Sequence, residues 1–178
     1  MPPRLTIPLL HFSGLLAALC VAAGAARADD AAEIRALLAR GDAAALPRAE
    51  QAAAANPRDV GLRFLQGVVL VDLRRDEAAL AHFVAMTQDY PELPDPYNNI
   101  ALLHARAGRL ELARQALESA LRNDPGHRTA RANLGEVHLM LAAQAWERAA
   151  AGGPVDAALL RRLQGVRTLL ATVPAAGR

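Results

Sequence analysis

The chain has 178 residues, 53% of them hydrophobic but only 3% aromatic, with alanine supplying much of the difference. Scarce aromatic and β-branched residues exclude an all-β fold, and high apolar content with balanced charge excludes a disordered chain. The formal charge is +2, with no lysine, twenty arginines and eighteen acids; Arg4 and Arg27 lie in the first 28 residues, which hold no acid, so the remainder is neutral and carries no nucleic-acid footprint.

The first element is a leader over residues 1–28. Arg4 precedes an uncharged run with the apolar centre Leu15-Leu16-Ala17-Ala18-Leu19-Cys20-Val21-Ala22, and Ala26-Arg27-Ala28 offers small residues where a signal peptidase reads. This pattern predicts a secretory signal cleaved after Ala28. The alternative is an uncleaved anchor, the only route by which this chain would meet a membrane; Pro8, His11, Ser13 and Gly14 weaken it as a spanning helix. Leu19 before Cys20 is too large for a lipidation site. With Cys20 removed, no disulfide, thiolate metal site or cysteine nucleophile is available.

Beyond residue 30 the apolar residues fall at helical spacing. Leu62, Leu65, Val69 and Leu73 form one stripe, and Ala79, Leu80, Phe83, Val84 and Thr87 the next. Tyr97, Ile100, Ala101 and His104 follow, then Leu110, Ala113, Leu117, Ala120 and Leu121. Leu134, Val137, His138 and Leu141 precede a last set at Leu159, Leu163, Val166 and Leu170. Breaks at Gly41, Asn56-Pro57, Pro91, Pro94, Gly108, Pro125-Gly126 and Gly152-Gly153-Pro154 separate them. The pattern predicts helices near 31–40, 43–56, 59–74, 77–90, 95–107, 110–123, 127–151 and 154–172. Asp95 is expected to cap a helix beginning at Pro96, Asp76 to cap the helix before it, and Gly108 to take a left-handed exit.

The breaks recur. Pro57, Pro91 and Pro125 are 34 residues apart, as are Ala45, Ala79 and Ala113, and Gly67, Ala101 and Gly135. Asn99 and Asn133 keep the same interval, and so do His104 and His138. A fixed period near 34 means stacked helical hairpins.

This pattern resembles the tetratricopeptide repeat family. Residues 60–93 match through Gly67, Ala79, Phe83 and Pro91. Residues 94–127 match through Tyr97, Ile100, Ala101, Gly108, Ala113, Leu117, Ala120 and Pro125, and Tyr97-Asn98-Asn99-Ile100-Ala101 looks like the opening of a unit. Residues 29–59 keep Ala45, Ala52 and Pro57 but have Pro47 near the start of the second helix, and read as a degenerate unit. Over 128–151 the turn between helices is missing, so one long helix is predicted, followed over 152–178 by a capping helix and tail. The resemblance implies an all-α fold, a right-handed α-solenoid of about three to four antiparallel helix pairs. The whole chain also looks like small exported repeat proteins of Gram-negative bacteria, which implies a periplasmic, non-catalytic binding module for a protein or extended peptide; no cofactor or metal is expected, and the chain is expected to be monomeric or weakly dimeric. An alternative is an oligomerisation subunit that self-associates through the last helix.

In such a stack the first helices line an inner groove. Candidate groove residues are Phe64, Val68, Asn98, Asn99, Leu102, Arg106, Asn133 and Glu136, with Val71 and Ala132 beside them. Asn99 and Asn133 can pair with a peptide backbone without reading its sequence, or bond a neighbouring helix. Arg106 can catch a carboxylate, or pair with an acid such as Glu111. Phe64, Val68 and Val71 can floor a ligand site or pack on the first unit. His82, His104, His127 and His138 show no metal-ligand spacing, and the equivalent His104 and His138 read as packing residues. Trp146 reads as core. The sequence has no G-x-S-x-G, H-E-x-x-H or phosphate loop, and Ser119 is the only serine after the leader, so no catalytic residue is nominated.

Overall fold

A computed structural model describes residues 29–154 and 156–172. The leader and its cleavage site, Val155 and residues 173–178 lie outside the described residues. Among those described there are eight helices and no strand: α1 (29–39), α2 (Ala45–Ala55), α3 (Val60–Asp72), α4 (Asp76–Asp89), α5 (Pro94–Arg106), α6 (Leu110–Asn123), α7 (Arg128–Ala151) and α8 (Ala157–Thr172). The protein is all-α. None of these helices is long and apolar enough to cross a membrane. Two compact units divide within α3, after Gln66.

In the first unit, Ile34, Ala45, Ala49, Ala52, Leu62 and Leu65 are buried. Alanine on three successive turns of α2 leaves room for close helix approach. Arg48 on α2 pairs with Asp30 and, at 2.7 Å, with Glu33 on α1, and both carboxylates raise its pKa. Pro47 stands in the first turn of α2, where its missing N–H costs nothing. Asp59 accepts the Leu62 N–H at 3.0 Å and so closes the start of α3.

In the second unit each helix rests on the next in sequence, from α4 to α8, and α5 also meets α7. The connections 90–93, 107–109 and 124–127 are short, which makes neighbours antiparallel. Phe83 is fully buried and meets α3 at Gly67, where an added Cβ would stand 2.6 Å from Phe83 Cζ. Ala101, Ala113, Leu117 and Ala120 continue this interior through α5 and α6. Gly108 has φ +72°, and the Arg109 N–H reaches back to the His104 carbonyl at 2.9 Å. Arg74, 34 residues earlier, takes the same left-handed conformation at φ +57°, and the Arg75 N–H reaches the Leu70 carbonyl at 2.9 Å.

Three expectations need correction here. Asp76 and Asp95 are not caps: Arg75 and Leu93 hold those places, and both acids sit in the first turn. There they face the positive end of the helix dipole, which favours a carboxylate almost as well as capping does. Gly135 and His138 are exposed, and a Cβ on Gly135 would meet nothing within 4 Å. The cause is α7 itself, which runs unbroken from Arg128 to Ala151, so no following helix turns back over its first half. Trp146 is half-buried rather than core. α8 covers the later part of α7, burying Leu163 and Val166, and Arg167 bonds Glu147 at 2.7 Å.

Candidate partner-binding cleft

Within the second unit α5, α6 and α7 converge on a cleft of about 50 Å³. Ala101, Leu117 and Val137 form its floor, all at most 3% exposed. Leu102 and Ala105 from α5 and Met140 from α7 form half-buried walls, with Asn133 and Glu136 at the rim. The broader hollow at Ala55–Val60 is lined by a single consecutive stretch and brings no separate elements together.

Helix geometry explains which candidates meet. Asn133, Glu136, Val137 and Met140 lie three, four and seven residues apart and share one face of α7. Asn133 Nδ2 donates to Asn98 Oδ1 at 2.8 Å, tying α7 to α5. An amide pair of this kind uses one donor and one acceptor. It leaves the amide N–H groups of Asn98 and the carbonyl oxygen of Asn133 for a third group. Asn98, Leu102, Asn133 and Glu136 are therefore brought together. Met140 and Val137 belong with them; the sequence signal was their spacing from Asn133 along the helix.

The other candidates stand apart. Asn99 turns to its own helix and donates to the Asp95 carbonyl at 3.0 Å. One residue from Asn98 is a rotation of about 100° around the helix, enough to leave the cleft. Arg106 pairs with Asp76 at 3.3 Å, across to α4, rather than with Glu111, which bonds Arg114 at 2.8 Å. Val68 is half-buried and Val71 is 8% exposed on the part of α3 in this unit, while Phe64 belongs to the first unit. Ala132 is exposed.

The histidines have local duties. His127 caps α7: its Nδ1 accepts the Ala130 N–H at 3.1 Å, which leaves Nε2 to donate to Asp95 at 3.0 Å. His82 stands edge-on to Phe83, with ring centroids 5.9 Å apart. His104 Nδ1 accepts from Arg109 Nε at 3.0 Å; burial, then the charge of Arg109, lowers its pKa. No group of three or more His, Cys, Asp or Glu among the described residues is placed to hold a metal ion. The Pro91 carbonyl accepts from Tyr97 Oη at 3.2 Å and Asn123 Nδ2 at 2.7 Å, so the loop between α4 and α5 is held from two sides. Ser119 donates to the Gln115 carbonyl of its own helix at 3.0 Å.

The cleft combines an apolar floor, an amide pair and a carboxylate. It can hold a side chain, hydrogen-bond a backbone and attract a cation. No family model and no curated protein matches the chain.

Proposed function

We propose that this protein is a non-catalytic protein–protein interaction module, a right-handed α-solenoid of the tetratricopeptide type, exported to the periplasm. It binds an extended peptide or a segment of a partner protein in the cleft between α5 and α7. The 34-residue recurrence of proline, alanine and small residues supports the solenoid, and the leader pattern supports export.

The observation that carries the reading is the Asn98–Asn133 pair beside the apolar floor. An extended chain offers one N–H and one C=O at each residue. The pair leaves donors on Asn98 and an acceptor on Asn133, so it answers both without selecting a side chain. A photoreactive residue in place of Leu102, cross-linked in the native envelope and followed by mass spectrometry, tests the reading. Discrete partner adducts that weaken with Asn98→Ala plus Asn133→Ala are expected, the double change costing about 1–3 kcal/mol of binding. Diffuse labelling that ignores the double change rejects the groove.

A further inference from the structure

Among the described residues five acids of the second unit form ion pairs, and Asp72, Glu77, Glu92, Asp124 and Asp156, which form none, are exposed to water. Asp76 has Arg106, Glu111 and Glu118 have Arg114, Asp95 has His127, and Glu147 has Arg167. Glu136 is different. It has no ion-pair or hydrogen-bond partner among the described residues, yet it is half-buried at the rim of an apolar cleft. A carboxylate against an apolar wall has lost part of its hydration and gains most from a cation delivered by an incoming molecule. The floor beside it is Ala101, Leu117 and Val137, which offer only dispersion and apolar contact. The space is small, about 50 Å³, and lined by aliphatic groups, which favours a compact aliphatic side chain over a bulky indole.

We propose that the cleft selects a partner segment in which a short aliphatic side chain is flanked by lysine or arginine, the aliphatic group seating between Leu102 and Met140 and the cation meeting Glu136. This rests on the reading of the cleft as a peptide groove and adds the chemistry of the occupant. The amide pair holds the backbone in either case; Glu136 and the size of the cleft supply the choice. Acidic segments are repelled by Glu136, and the small cleft disfavours segments anchored by tryptophan.

The test uses the full chain labelled at its methionine methyl groups, with the buried Met86 as internal reference and Met140 as reporter. The probe is the capped hexapeptide Ala-Ala-Leu-Arg-Ala-Ala, compared with peptides carrying glutamate for the arginine or tryptophan for the leucine. The Met140 signal is expected to move with the first peptide. The glutamate peptide should bind about threefold to fivefold more weakly, the range of a partly exposed ion pair, and the tryptophan peptide should leave Met140 unmoved. Glu136→Gln should erase the charge preference and Glu136→Arg reverse it, with helical circular dichroism retained. Equal binding of both charges, or a preference that survives Glu136→Gln, overturns the selectivity and leaves the groove standing. Failure of every peptide to move Met140 overturns both.

Discussion

A Cβ on Gly67 would stand 2.6 Å from Cζ and 2.7 Å from Cε1 of Phe83, a side chain with no exposed surface. Phe83 has no solvent side toward which to retreat, so the contact is set by the absence of a side chain on α3. Gly67→Ala gains up to about 1 kcal/mol of helix propensity but overpacks at a cost of about 1–3 kcal/mol. The net expected outcome is destabilisation, read as a lower urea midpoint with an unchanged slope. Phe83→Leu in the same chain should recover part of the loss. Gly135 is the control. It lies inside α7 with open space around it, so Gly135→Ala should raise stability by about 0.5–1 kcal/mol.

The contrast shows what a periodic sequence does and does not determine. Proline beyond the first turn, and glycine where it takes a left-handed conformation as at Gly41 and Gly108, end helices because a missing N–H or a positive φ acts on the backbone locally. Helix positions were therefore legible to within a few residues. Equivalence of environment was not. Gly135 and His138 repeat Ala101 and His104 in register, but the chain after them omits a turn, so the surface that covers Ala101 has no counterpart. The site was half legible for a similar reason. Asn133 follows from the 34-residue interval, whereas its partner is Asn98 and not Asn99, because pairing is decided by helix rotation rather than by register.

Arg74 and Gly108 occupy equivalent left-handed exits, at φ +57° and φ +72°. Glycine enters this region freely, while a residue with a Cβ pays about 1–2 kcal/mol. Gly108→Ala is thus expected to cost about 1 kcal/mol although no atom would lie within 4 Å of the new Cβ. Chemical denaturation measures this, and a neutral result would show that the turn relaxes instead of straining.

His104 gives a pH dependence with a defined sign. Burial, and secondarily the Arg109 charge, hold its pKa below the ordinary 6.5. Between the folded value and 6.5 the unfolded chain binds more protons than the folded one, so stability rises with pH in that window. The contribution is complete above about pH 6.5, declines as the pH falls below it, and levels off beneath the folded value. Protonation at Nδ1 also removes the acceptor for Arg109 Nε. His104→Gln should flatten this slope. Urea midpoints of both proteins at about pH 5 and about pH 7.5 provide the comparison; parallel losses on acidification would assign the effect to other groups.

The last helix tests whether α7 is complete by itself. Leu163 and Val166 are 6% and 7% exposed, Ala143 on α7 is 8% exposed, and Arg167 fastens α8 to Glu147. Burying a Leu or Val side chain contributes about 1.5–3 kcal/mol. Deleting residues 154–178 uncovers the later half of α7, where Trp146 is the only tryptophan of the chain. The expected result is a monomeric full-length protein by light scattering and a truncated one that aggregates, with a red-shifted tryptophan emission. Leu163→Ala should weaken the fold by about 2–3 kcal/mol without changing mass in solution. If the full chain were instead a dimer that became monomeric on truncation, α8 would be an interchain face. The burial of Leu163 and Val166 within one chain argues against that for this face of the helix, and leaves the exposed Leu160 and Leu169 as the residues through which such a dimer would have to form.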